Sequence, residues 1–138
     1  MTKPIRSPLK CRHCSEKPVI NMRQHKLALC GAHYVEWMHK QTDRFIEKYR
    51  IEVLIPENIL AIPMHVPLGL AMTETLAETT FPVIAHRHDF AWERERFTLN
   101  AINDYLQAAF PPLLYAMEHV VINSMAQKEL ARRYGIPS

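Results

Sequence analysis

Cys11, Cys14, Cys30 and His33 are the residues whose types and spacing do the plainest chemistry. They read C-x2-C, then fifteen intervening residues, then C-x2-H. Two residues between donors let a tight turn aim both side chains at one ion, and two such pairs complete a tetrahedron. Thiolate and imidazole donors suit zinc, whereas calcium and magnesium prefer oxygen. Four protein donors leave no position for water, so the pattern predicts one structural Zn2+. The alternative for these thiols is burial or redox chemistry. An odd count of three cysteines argues against a closed disulfide framework. His13, His25 and His39 read as surface histidines.

A second concentration of polar groups runs His86-Arg87-His88-Asp89-Phe90-Ala91-Trp92-Glu93-Arg94-Glu95-Arg96-Phe97. Its imidazoles, carboxylates, guanidiniums and rings suit a polyol held by charged hydrogen bonds and stacking, or a phosphate held by Arg94 and Arg96. The plain alternative is the start of a helix, with Asp89 as its cap and Glu93 to Arg96 as a solvated face. A second metal at His86, His88 and Asp89 finds no further ligand pair in reach by sequence. A third cluster is basic: Lys3, Arg6, Lys10, Arg12, Lys17, Arg23 and Lys26. Phosphate contacts from Lys10, Arg12, Lys17, Arg23 and Lys26 would give tRNA or another RNA a salt-dependent affinity. A solvated basic face is the alternative.

Local elements must position these groups. Residues 18–22 and 26–29 read as two short strands of a zinc ribbon, turning near Arg23-Gln24-His25. Tyr34, Val35, Met38, Thr42, Phe45, Ile46 and Tyr49 then recur at helical spacing, which predicts a helix with one apolar stripe and His33 at its start. Further on, residues 59–62, 82–86 and 119–123 are short apolar runs without alternation, the pattern of strands covered on both faces. Helical segments at 68–76, 96–109 and 124–134 separate or follow them, with Ser124 as N-cap and Gly135 as the stop. That order implies right-handed crossovers and a small three-stranded parallel sheet. In such sheets ligands bind beyond the carboxyl ends of the strands, where His86 to Phe97 falls. Both edges of so small a sheet stay open, which predicts self-association or a partner chain covering them.

The whole-chain numbers bound these readings. At 138 residues, 48% of them hydrophobic and 22% charged, the chain fits one ordinary domain or two very small ones. No apolar run approaches the ~20 residues that span a bilayer. The polar start argues against an export signal, so a cytoplasmic protein without a membrane partner is expected. The net charge of +3 conceals a split: residues 1–51 hold 11 Lys and Arg against 4 acids, while residues 52–138 hold 6 against 10. The change falls between Arg50 and Pro56 and divides the chain into a finger with a long helix, 1–51, and a second module, 56–138. The expected fold class is α/β, a small zinc-ribbon plus helix followed by a partial Rossmann-like parallel sheet.

Two family resemblances extend this reading. Cys11-x2-Cys14, Lys17-Pro18-Val19, Leu27-Ala28-Leu29-Cys30-x2-His33-Tyr34 and the helix ending Tyr49-Arg50-Ile51 resemble the N-terminal zinc finger of the tRNA 2-thiolation enzymes. That resemblance implies the same zinc ligands and an RNA context. Those enzymes also carry an S-G-G-x-D-S phosphate loop, and here Gly stands only at 31, 69 and 135, so thiolation chemistry is not carried over. Residues 60–138 resemble the N-terminal half-domain of family-4 retaining glycosyltransferases of the GT-B fold. The matching stretches are Pro63-Met64-His65-Val66-Pro67-Leu68-Gly69-Leu70, His86-Arg87-His88-Asp89-Phe90-Ala91-Trp92-Glu93-Arg94, Phe110-Pro111-Pro112 and His119-Val120-Val121-Ile122-Asn123-Ser124. The resemblance implies that His86, His88 and Asp89 line the sugar-acceptor side and that Arg94 orders their loop. The family's Glu-x7-Glu pair belongs to a donor-binding domain, and no two glutamates here are eight apart. The combined expectation is a zinc-binding composite whose acceptor-type segment is catalytically incomplete alone. An RNA-binding accessory module and a structural or interaction domain are the alternatives.

Overall fold

The computed structural model describes residues 10–22 and 27–138. Ile20–Met22 (β1) and Leu27–Leu29 (β2) pair antiparallel, with Ile20 opposite Leu29. The expected turn at Arg23-Gln24-His25 lies outside the described residues, as does Lys26. Arg12 N–H donates to the Ala28 carbonyl at 2.8 Å, which ties the first cysteine pair to β2. Gly31–Tyr49 forms the long helix α1, so His33 lies in its first turn as the spacing required. It ends where Arg50 turns left-handed, at φ 50°. The apolar stripe of α1 is buried only at Tyr34; Phe45 and Tyr49 are exposed and meet each other at 5.0 Å.

Val66–Glu78 forms α2, packed along α1. His65 caps it, Nδ1 accepting from Leu68 N–H at 3.0 Å. Thr75 Oγ1 donates to Asp43 across the helix pair at 3.1 Å. Gly69 faces the buried ring of Phe110, and a Cβ there would fall 2.2 Å from the ring. Only glycine admits that approach.

Val83–Arg87 (β3) and Met117–Val121 (β4) pair in parallel, Val83 opposite Met117. Single parallel bridges, Leu54 to Val83 and Glu57 to His86, add a third short edge. That edge precedes the position expected for it. Residues 59–62 are not a strand: Asn58 turns left-handed at φ 60° and the chain folds back, Ala61 N–H reaching the Asn58 carbonyl at 3.2 Å. The apolar run is still explained, because Leu60 and Ala61 are buried at 1% and 0% exposure. The turn itself enters the core.

The strands are also not covered on both faces. Val83, Ala85, Arg87, Met117 and His119 point inward, while Ile84 and Val120 are exposed, so burial alternates. The helix expected over 96–109 is two pieces, Glu95–Thr98 (α3) and Asn103–Ala109 (α4). Asn100 interrupts it: its side chain donates to the Phe97 carbonyl and accepts from Ile102 N–H, a local alternative to helical bonding. Ser124–Tyr134 forms α5, ended by Gly135 at φ 67° as expected. Its cap is Asn123 rather than Ser124, with Oδ1 accepting from Met125 and Ala126 N–H.

Candidate metal centre and polar loop

The finger brings its four donors together. Sγ of Cys11, Cys14 and Cys30 and a ring nitrogen of His33 all lie within 4.8 Å of one another. Cys14 and Cys30 sulfurs are 3.7 Å apart, and His33 Nδ1 lies 3.5 Å from Cys11 Sγ and 3.1 Å from Cys30 Sγ. A tetrahedral ion with bonds of ~2.3 Å to sulfur and ~2.0–2.1 Å to nitrogen needs edges near ~3.8 and ~3.6 Å. The cage therefore fits a metal with little adjustment. Three routes converge on it: the turn Cys11–Cys14, the end of β2 at Cys30, and the first turn of α1 at His33. Among the described residues, Cys11, Leu29, Cys30 and Tyr34 form the buried cluster here.

Electrostatics prepare the sulfurs. Burial pushes the Cys11 thiol up, but backbone N–H groups of His13 and Cys30 outweigh it and bring the thiol down to about 6. Cys30 is lowered by the His33 N–H and then by the His33 ring. For Cys14 the Glu16 N–H favours the thiolate, yet burial and the two neighbouring sulfurs together raise it to about 11. His33 is raised, chiefly by its contact with Cys30. A cation held by Cys11, Cys14, Cys30 and His33 would displace the protons these crowded donors share. Among the basic candidates, Lys10, Arg12 and Lys17 are exposed around the first turn, while Arg23 and Lys26 lie outside the described residues.

The polar loop after β3 is divided by the fold into two sets. His86 Nδ1 meets Glu57 at 2.9 Å and His88 Nε2 meets the same carboxylate at 3.1 Å. Asp89 turns to a different set: it accepts from Asn58 Nδ2 at 2.6 Å and pairs with Arg94. Both partners favour the Asp89 carboxylate, Arg94 first, and hold it below its usual range. Asp89 is therefore not the helix cap; Phe90 precedes the short 3-10 turn Ala91–Glu93, and its N–H donates to the Glu93 carboxylate at 2.7 Å. The rings are occupied by packing. Phe90 is fully buried, Trp92 stacks on it at 4.2 Å, and Arg133 lies over the Trp92 ring, which removes them as a stacking platform for a polyol.

Sequence reasoning missed three participants. Glu57 and Asn58 sit in an unremarkable linker and reach the loop only through parallel pairing beside β3. His39 is half-buried between α1 and α2, with Asp43, Glu74 and Glu78 within 3.8 Å, rather than a surface histidine. Two of its three carboxylates come from α2, so spacing along α1 gave no signal.

Residues 10–35 match the family described as 2-thiouridine synthetase TtuA, N-terminal LIM domain. The finger is similar to that domain over these residues. The chain is also similar to two mannosylglucosylglycerate synthases. The one from Thermotoga maritima is 39% identical over 89 residues, 63% of this chain and 20% of that protein. The one from Petrotoga mobilis is 35% identical over 109 residues, 76% of this chain and 24% of that protein. The tRNA-5-methyluridine(54) 2-sulfurtransferase of Thermus thermophilus is 32% identical over 75 residues, 54% of this chain and 23% of that protein. The chain thus spans about a quarter or less of the curated relatives it matches. Among solved structures, the U34-tRNA thiolase NcsA of Methanococcus maripaludis, with its 4Fe-4S cluster, covers 94% of this chain at 10% identity and a TM-score of 0.44; the likeness extends over 48% of that protein. No helix among the described residues is long and apolar enough to cross a membrane.

Proposed function

We propose that the chain is a zinc-built finger fastened to a glycosyltransferase-type acceptor segment, a binding body that is catalytically incomplete by itself. Zinc is the ion favoured by three sulfurs and one imidazole in a closed set. The observation that carries the reading is a direct link from cage to pocket. Tyr34, next to the ligand His33, meets His65 Nε2 through its hydroxyl at 3.2 Å. His65 caps α2 and lines a cavity of about 180 Å3 with Glu57, Asn58, Ile62, Met64 and Leu68. His86 and His88 stand beside this cavity through Glu57, and Asp89 with Arg94 orders their loop. Its similarity to two mannosylglucosylglycerate synthases supports a polyhydroxylated acceptor as the ligand class. Free thiols accord with a reducing, cytoplasmic setting.

Saturation-transfer NMR against small sugar acceptors and nucleotide sugars tests this. Acceptor signals that respond to the parent and not to a His65→Ala variant support it; no response to any sugar overturns it. The zinc part is tested separately by metal analysis, with one tightly held zinc per chain expected.

A second reading rests on the exposed Lys10, Arg12 and Lys17 around the finger and on the tRNA-modifying relative. It makes the finger a tRNA contact. A gel shift with tRNA should weaken steeply with salt, and an affinity indifferent to salt rules out phosphate contacts. If both ligands fail, the remaining reading is a structural or interaction domain, self-associating or joined to a partner chain through its open sheet edge.

A further inference from the structure

We propose that Glu57, His86 and His88 form a second, open metal site that takes a first-row divalent ion such as Ni2+ or Zn2+ on two imidazoles and one carboxylate. This goes beyond the reading above and requires neither sugar nor RNA binding. The backbone places the donors. Glu57 bridges in parallel to His86, and Asn58 N–H donates to the His86 carbonyl at 2.9 Å. His86 lies on β3 and His88 just past its end, and their rings meet edge to face with centroids 4.7 Å apart.

The donor atoms lie within 4.8 Å of one another, with Glu57 oxygens 2.9 Å from His86 Nδ1 and 3.1 Å from His88 Nε2. An ion with bonds of ~2.0–2.2 Å needs donors about 2.9–3.4 Å apart, a range in which both carboxylate–imidazole distances already fall. Outer contacts hold the loop that carries His88. Asn58 Oδ1 accepts from the N–H groups of His88 and Asp89 at 3.0 and 3.4 Å, and its Nδ2 donates to Asp89, itself paired with Arg94. Such outer partners orient metal ligands. All three side chains reach solvent, which leaves coordination positions open to a further ligand. The finger cage is closed by sulfur; this one is nitrogen and oxygen, and open.

The test uses the full chain with one equivalent of zinc already in the finger. Ni2+ is titrated calorimetrically while imidazole resonances are followed by NMR. The expected result is one Ni2+ per chain beyond the zinc, with paramagnetic broadening centred on His86 and His88. Glu57→Gln and His88→Ala should each weaken that binding by at least ~10–100-fold, the cost of losing even an outer partner. Amide spectra of these exposed variants confirm that they remain folded. Absence of the second equivalent, leaving a plain His–Glu ion pair, overturns the proposal. So does Ni2+ binding that is equal in both variants, which places the ion elsewhere on the surface. Failure of the sugar titration with Ni2+ binding intact removes only the acceptor reading.

Discussion

The finger and the segment after Leu54 reach order by opposite routes. Around the cage the buried cluster among the described residues has four members, two of them the ligands Cys11 and Cys30. Behind α1, three apolar clusters share the burial: Leu60 with Met72, Leu76 and Val83; Phe90 with Leu130 and Ile136; Leu106 with Phe110. Coordination of a metal would supply the stability that so small a cluster lacks, whereas the later segment draws its stability from area removed from water. The lesson is one of separability: a perturbation should strike one region and spare the other, except where α1 meets α2.

The largest effect should follow removal of the metal. Chelation, Cys30→Ser or His33→Ala should abolish the tightly bound ion and disorder the finger, a loss on the order of 10 kcal/mol of coupled binding and folding. Metal analysis with NMR reads it, and retention of the ion in either variant would show that the ligand set is wrong. Signals of β3, β4 and α5 should persist, and their disappearance would break the separation of the two regions.

Next comes the apolar core. Leu60 is 1% exposed, and Leu60→Ala should cost about 2–5 kcal/mol by lost burial and the cavity left behind. A urea titration should show it, with metal content unchanged.

The third effect depends on pH. His119 lies buried against the Arg87 guanidinium, and burial first, then that charge, brings it down to about 4 from an ordinary value near 6.5. The unfolded chain therefore binds a proton that the folded chain refuses between these values. Stability is fully present above about pH 6.5 and falls by roughly 3 kcal/mol as pH drops towards 4. His119→Gln keeps an acceptor for Arg87 without titrating, so the difference between variant and parent should lose this slope. An equal slope in both would move the acid sensitivity to the cage.

The smallest effect sharpens the junction. Tyr34→Phe removes only the hydroxyl contact to His65 and should cost about 1 kcal/mol. Comparing its effect with and without chelator measures how much of the finger's order passes into α2.

Much of this was legible in residue types and spacing. The cage, the α1 start at His33, α5 and its stop at Gly135 all follow from local rules of ligand spacing, periodicity and left-handed glycine. The errors share one cause. Residues 59–62 look like a strand because burial, not extension, selects their side chains, and a turn packed into the core is equally apolar. Residues 96–109 look like one helix because the competing hydrogen bonds of a single Asn100 are invisible to periodicity.

The sequence alone determined which ion-binding chemistry the front of this protein carries, since two short ligand pairs need only local turns to aim them. Tertiary structure alone decided what the polar loop became. Partition of His86 and His88 to Glu57, and of Asp89 to Asn58, depends on a linker docking in parallel beside β3. No local periodicity encodes that pairing, because its partners lie about thirty residues apart and meet only once the sheet has formed.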